Sequence, residues 1–514
     1  FGFASVMESF TGLKCRKSAA LKPIETKRNG KGEMEDDEVD EIAEEEEPLS
    51  PSARLFHEPN FNVYIIAILG CKTRINPDIL KANLPHTLLK HPRFSSLQVV
   101  DEKNHKEMRW VRTRVDLDKH VIVPELDQGM GSPDKFVEDY ISNLTKTSID
   151  SSQPLWDLHV LNVRITDAEA VGVFRIHHSL GDGTSLMSLL LACFRQISDP
   201  EALPTIPGGK KREMKKPETT DSGWIWRYPA AVWWHLRMFW NTVVDVFMFF
   251  VTAIFLKDTN TPIKGPPGVE FAPRRFVWRT VSLDDMKLVK NAMNTTINDV
   301  ALGVSQAGLS KYLNRKYGEG NLPKNIRLRS TLLVNIRPVS GIQALADMMQ
   351  KDAEAKWGNW IGFVLLPFTI GIRNDPLDYV REARATVDRK KCSLEAFYTF
   401  FIAEMFVKLF GVKISSAITH RVINHTTMCF SNLVGPQEEI GYYGHPMAFI
   451  APSSYNQPHA LMINFQSYDN KMTIVLSVDE GTIPDPHQLC DDIVESLTTI
   501  KDAVVSRGLA NNCT

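Results

Sequence analysis

What the chain lacks narrows it first. It has no C-x-x-C pair: its seven cysteines, Cys15, Cys71, Cys193, Cys392, Cys429, Cys490 and Cys513, are scattered and odd in number. That pattern speaks against a disulfide framework and a zinc ribbon, so no metal is expected and a reducing compartment is favoured. There is no excess of one charge. The formal net charge is −2, and the basic footprint of a nucleic-acid binder is missing. No G-x-S-x-G elbow, P-loop, G-x-G-x-x-G after a strand or H-E-x-x-H occurs. Hydrolase, NTPase, dinucleotide enzyme and zincin all lose support. No unit repeats at a fixed period. "FGFASV" precedes Met7, which is read as the start residue, and no secretory signal is visible in the first thirty residues.

Apolar residues make up 43% of the 514 and charged residues 23%, which suits a globular chain with a sizeable core. Residues 1–47, with "GEMEDDEVDEIAEEEE", read as a disordered acidic tail that has almost nothing to bury. Residues 48–200 alternate strand and helix signals. "FNVYIIAILG" reads as a buried strand, Asn76-Pro77 as a helix start, "KFVEDYISNLTKT" as an amphipathic helix, and "LWDLHVLNVR" and "AVGVFRIHH" as two further strands. Residues 201–270 hold a Pro-, Gly- and Lys-rich linker and then the most apolar stretch of the chain, 230–256. That stretch is long enough to span a bilayer, where about 20 residues suffice. At 100° per residue its polar side chains, His235, Asn241, Thr242, Asp245 and Thr252, fall on one side, opposite Trp240, Phe247, Phe250 and Ile254. Three placements are open: a helix lying in the membrane interface, a spanning helix, or one packed on the protein's own core. The basic run Lys210–Lys216 suits anionic lipid heads. Residues 271–508 return to α/β order, with Ser282 as a helix N-cap and "AFYTFFIAEMFVKLFG" as a second strongly apolar helix.

The chemistry concentrates in "FRIHHSLGDGTSLMSLLL", Phe174–Leu191. A strand ends on His177-His178, turn residues follow, and a helix begins. Side chains alternate along a strand, so the two imidazoles point to opposite faces and do not easily share a metal. One imidazole facing a cleft is a good general base near neutral pH, although a histidine closing a strand is also often structural.

"HHSLGDG" (His177–Gly183) matches the H-H-x-x-x-D-G motif of CoA-dependent acyltransferases shaped like chloramphenicol acetyltransferase. Within that superfamily the chain resembles the plant wax ester synthase/diacylglycerol acyltransferase family. "QPLW" (Gln153–Trp156), "NDV" (Asn298–Val300), "WGNWIGFVLLPF" (Trp357–Phe368) and "SNLVGP" (Ser431–Pro436) carry that resemblance in order. The D-F-G-W-G block of the acyltransferases that modify phenolic and alkaloid alcohols is absent.

The resemblance implies two similar α/β lobes around a channel. It implies acyl-CoA as co-substrate, no other cofactor, and a long-chain fatty alcohol or diacylglycerol as acceptor. His178 is the expected general base in a ternary complex without an acyl-enzyme, and His177 has a packing role. Asn298 is the expected oxyanion donor, although Asn also favours a helix N-cap. Asp182 is expected to organise the site through an arginine, with Arg337 a candidate. Gly183 gives the backbone room, and Pro154, Leu155 and Trp156 shape the channel, with core packing an alternative for Trp156. Both lobes must face one channel, which disfavours a single spanning helix. The expected place is a membrane lipid surface, on the cytosolic side of the endoplasmic reticulum. Two rivals remain. His177 and Asp182 also satisfy the H-x-x-x-x-D of glycerolipid acyltransferases, whose companion block is missing. A catalytically silent lipid-binding protein is the other.

Overall fold

The computed structural model describes residues 47–101, 107–125, 131–206, 224–337 and 357–509. The acidic tail up to 46, the start residue and the basic run Lys210–Lys216 lie outside them.

The architecture is α/β with two lobes, each built on a mixed sheet. The first lobe holds a seven-stranded sheet whose centre is the antiparallel pair Tyr64–Cys71 and Ala170–His177, in the register Tyr64↔His177. Trp156–Leu161 flanks it on the far side of Ala170–His177. The second lobe holds six strands in the order Ile361–Phe368, Leu328–Asn335, Met428–Leu433, Leu461–Tyr468, Lys471–Val478 and Arg275–Ser282. Met428–Leu433 runs parallel to both of its neighbours. The helices Ile297–Lys316, Leu377–Lys391 and Pro486–Ser506 pack against that sheet. Their central positions are apolar and almost fully buried, as Leu309, Val380 and Ile493 show.

Local signals locate most of these elements. Asn76 caps the helix Pro77–Asn83 by accepting from Asp78 N at 2.9 Å, with Pro77 at the first turn. Ser282 caps Leu283–Ala292 in the same way. Two consecutive lobes do not describe the chain, however. The segment 440–455, inside the expected second lobe, crosses over: His445–Tyr455 pairs antiparallel with Tyr64–Cys71 and completes the first sheet. Strand pairing is decided by long-range register, so no local pattern announces this exchange.

The apolar stretch forms the helix Trp224–Ile254, and Val232–Ile254 is long and apolar enough to cross a membrane. Its polar stripe turns inward. Thr242 Oγ1 accepts from Leu394 N, and the buried Asp245 accepts from Arg389 and Lys390 at 2.7 and 3.0 Å. Thr252 Oγ1 accepts from Arg329 Nη1 at 2.6 Å. His235, expected on the same stripe, is exposed instead. The helix is therefore packed on the protein through its polar side, while Trp240, Phe247 and Ile254 stand more than 60% exposed. Beside it runs Glu395–Asn424, expected to stop at Gly411. The chain kinks there at φ 79°, a left-handed conformation natural to glycine, and helix resumes. This second helix also exposes Phe401, Leu409, Phe410 and Ile414.

Candidate active site

His177 is the last residue of its strand, and His178 opens a short 3-10 turn, His178–Leu180. The two imidazoles are separated as expected, although a change of backbone conformation divides them as well as strand alternation. His177 is almost fully buried. Its Nε2 lies 3.1 Å from Phe56 O and 2.9 Å from Asn62 Oδ1, and its Nδ1 lies 2.6 Å from Ser179 Oγ. Both ring nitrogens are thus engaged, and His177 is not on the cavity wall, which leaves the H-x-x-x-x-D reading without a base.

His178 lines a cavity of about 620 Å³ that runs beneath the helix Gly183–Cys193. One face of the ring stacks on Phe56, with centroids 4.2 Å apart. Asn359 grips it from the other lobe. The amide nitrogen donates to His178 O at 2.9 Å, and Oδ1 lies 3.1 Å from Nδ1. Because the nitrogen is already committed to a carbonyl, Oδ1 must accept, and the proton sits on Nδ1. Nε2 is left with its lone pair. Burial is the main cause that lowers the pKa of His178 below the ordinary imidazole value, against opposing contributions that include the Asp182 charge and Asn359. The ring is therefore neutral at pH 7 and able to take a proton.

The hydrogen bonds of Asp182 go elsewhere than to the ring. It is the N-cap of Gly183–Cys193, accepting from Ser185 N at 2.9 Å, and its other oxygen accepts from Arg337 Nη1 at 2.9 Å and Trp360 N at 3.0 Å. Arg337 also donates to Ser185 Oγ and to Gly358 O. The expected arginine is in place, and it ties the motif of one lobe to two strand ends of the other.

The remaining expected residues divide. Gly183 lines the cavity, where a Cβ would stand 3.5 Å from Leu433 Cδ1, an ordinary contact. The tight position is Gly181, where a Cβ would come within 3.2 Å of Trp357 Nε1. Pro154, Leu155 and Trp156 are off the cavity wall. Trp156 is fully buried in the core and donates from Nε1 to Phe94 O at 2.8 Å. Asn298 is not the helix cap, since Thr296 and Asp299 form a reciprocal capping box. Nor is it on the wall. Its Oδ1 accepts from Asn432 Nδ2 at 3.4 Å, and Asn432, unlike Asn298, lines the cavity, as do Asn335, Asn464 and Gln466. Asn359 was not singled out in the sequence. Its only signal was its place in "WGNWIGF", a block that read as a strand.

A two-lobed α/β chain that presents one oriented imidazole from an H-H-x-x-x-D-G turn to an apolar cavity defines an acyltransferase of the chloramphenicol acetyltransferase shape. The family model "Wax ester synthase/diacylglycerol acyltransferase catalytic domain" matches residues 78–301, and "WS/DGAT C-terminal domain" matches residues 357–501. The chain belongs to the wax ester synthase/diacylglycerol acyltransferase family and is an acyltransferase. Wax ester synthase/diacylglycerol acyltransferase 11 of Arabidopsis thaliana is 50% identical over 471 residues, 90% of this chain and 96% of that one. Number 5 of the same plant is 50% identical over 485 residues, 91% and 96%. The solved wax ester synthase/diacylglycerol acyltransferase from Marinobacter aquaeolei VT8 shares the fold, with a TM-score of 0.56 at 17% identity, covering 89% of this chain and all of that one. The condensation domain of the Monacolin K polyketide synthase shares it too, with a TM-score of 0.51 at 13% identity over 90% and 98%. Membership of an enzyme family disposes of the catalytically silent reading.

Proposed function

We propose that the chain moves a long-chain acyl group from acyl-CoA to the hydroxyl of a fatty alcohol, giving a wax ester, or of diacylglycerol, giving triacylglycerol. The observation that carries this reading is the Asn359 grip on His178 at the head of a largely apolar cavity. His178 Nε2 takes the proton of the acceptor hydroxyl as its oxygen attacks the thioester carbonyl. The tetrahedral intermediate collapses, the carbon–sulfur bond breaks, and the leaving CoA thiolate recovers the proton from the imidazolium. No covalent enzyme intermediate is needed, because the lobes hold both substrates together. Asn432, one of several wall amides, is our candidate donor to the oxyanion, with Asn298 behind it as its partner.

The paired helices Trp224–Ile254 and Glu395–Asn424 supply the membrane contact. A polar side docked on the protein and an aromatic, aliphatic side left exposed suit a lipid surface on the cytosolic face of the endoplasmic reticulum, where both acceptors dissolve. One assay tests the reaction. Labelled acyl-CoA is supplied with hexadecanol or with diacylglycerol, to wild type and His178→Ala. Ester formed by the wild type and lost in the variant supports the proposal. Equal product from both overturns the mechanism, and no ester with either acceptor overturns the substrate assignment.

A further inference from the structure

The cavity floor is the antiparallel pair Tyr64–Cys71 and Ala170–His177, with one face turned to the space. Going away from the catalytic end, Ile176, Phe174 and Gly172 line it in turn, opposite Ile65, Ala67 and Leu69. Gly172 is the place where this floor carries no side chain. The nearest atoms to a Cβ there would be Leu69 Cβ at 3.8 Å and the Cδ1 atoms of Ile75 and Leu158 at 3.9 Å. These are ordinary contacts, so the surroundings admit a side chain whose further atoms would enter the cavity. The far end is walled by Thr87 and Tyr442, whose hydroxyls bond each other at 2.9 Å. Tyr442 pairs with His445, close to Met447, which lies opposite Cys71. That wall has satisfied its own polar groups and offers nothing to a polar tail.

We propose that Gly172 sets the length of the unbranched hydrocarbon tail that the cavity accepts. Five residues of strand separate Gly172 from His177, about 17 Å at roughly 3.3 Å per residue. An extended chain advances about 3.6 Å over three covalent bonds, or about 1.2 Å per bond. A tail beginning beside His178 therefore reaches Gly172 after about fourteen to sixteen carbons. A shorter tail stops over Phe174 and never meets the position. The inference rests on the reading that the reacting carbonyl stands at His178. Acyl donor and fatty alcohol both carry such a tail, and the experiment separates them.

The test uses the full chain in membranes, as wild type, Gly172→Ala and Gly172→Leu. In one arm the donor runs from about ten to about eighteen carbons against a fixed alcohol, and in the other the alcohol varies against a fixed donor. The expected result is a fall of at least about tenfold in the long-to-short ratio of kcat/KM for Gly172→Leu, in one arm only, with a smaller fall for Gly172→Ala. The arm that moves names the tail. Unchanged ratios in both arms, or equal losses at every length, overturn the proposal. Should Gly172→Leu fail to fold, Gly172→Ala, whose Cβ sits at ordinary contact distances, decides it. His178→Ala in the same preparation keeps the two readings apart: retained activity there defeats the base assignment, whatever the length profile.

Discussion

The carboxylate of Asp182 and the guanidinium of Arg337 meet at 2.9 Å, both almost wholly buried. One belongs to the catalytic turn of the first lobe, and the other follows a strand of the second. The pair joins the two halves of the site, while the acid–base role we propose belongs to His178.

Asp182→Asn separates the charge from the cap. Asparagine caps a helix as well as aspartate does, so the helix Gly183–Cys193 should persist. Arg337 would nonetheless lose its buried counter-charge, which costs about 3–5 kcal/mol. A lower urea midpoint and a large loss of activity are expected. A variant as stable as wild type would show that the pair does not hold the lobes.

Asn359→Ala should lower kcat by about 10–100-fold with little change in KM, the value of one buried hydrogen bond to the base. His178→Ala should cost about 10²–10⁴-fold. Steady-state kinetics on the two variants decides the matter. An effect of Asn359→Ala confined to KM would assign it to substrate binding instead.

The acid limb of kcat/KM should fall below pH 6.5. The active form of His178 is neutral, and burial lowers its pKa, so more acid is needed to silence it than an ordinary imidazole near 6.5 requires. A pH–rate profile with its acid limb above 6.5 would contradict this.

Stability should decline on the acid side as well. Burial lowers His91 and His459 to about 3, whereas in the unfolded chain each titrates near 6.5. Between those values the unfolded state binds protons that the native state refuses. Stability is therefore full above about pH 6.5 and falls as the pH drops toward 3. Urea midpoints at neutral and mildly acidic pH read this directly, and equal midpoints would exclude it.

Phe247→Asp with Phe250→Asp should weaken sedimentation with liposomes, because both side chains stand on the exposed face of Trp224–Ile254. The fold should survive, since Phe247 is 63% exposed and Phe250 40%. Undiminished liposome binding would remove the helix from the membrane contact.

Much of the fold was legible because its signals are local. Asn76-Pro77, Ser282 and Asp182 cap helices by bonds to residues two or three positions on. The apolar run in "AVGVFRIHH" sets a buried strand, and the motif places His178 just past its end. Asn298 and Trp156 were harder. Asn298 stands in a motif, but only the neighbouring Asn432 reaches the wall. Trp156 follows Pro154-Leu155, but its indole is used up by Phe94 in the core.

By itself the sequence determined most of the helices and strands, the family, the separation of the two histidines and the amphipathic character of 230–256, because each depends on residues near in the chain. Tertiary structure alone decided that Asn359 holds His178 from across 181 positions. It also decided that His445–Tyr455 completes the other lobe's sheet and that the polar stripe of the apolar helix faces inward. These are long-range pairings, selected by whole-molecule packing and by the need to satisfy buried polar groups, and no local pattern encodes the partner.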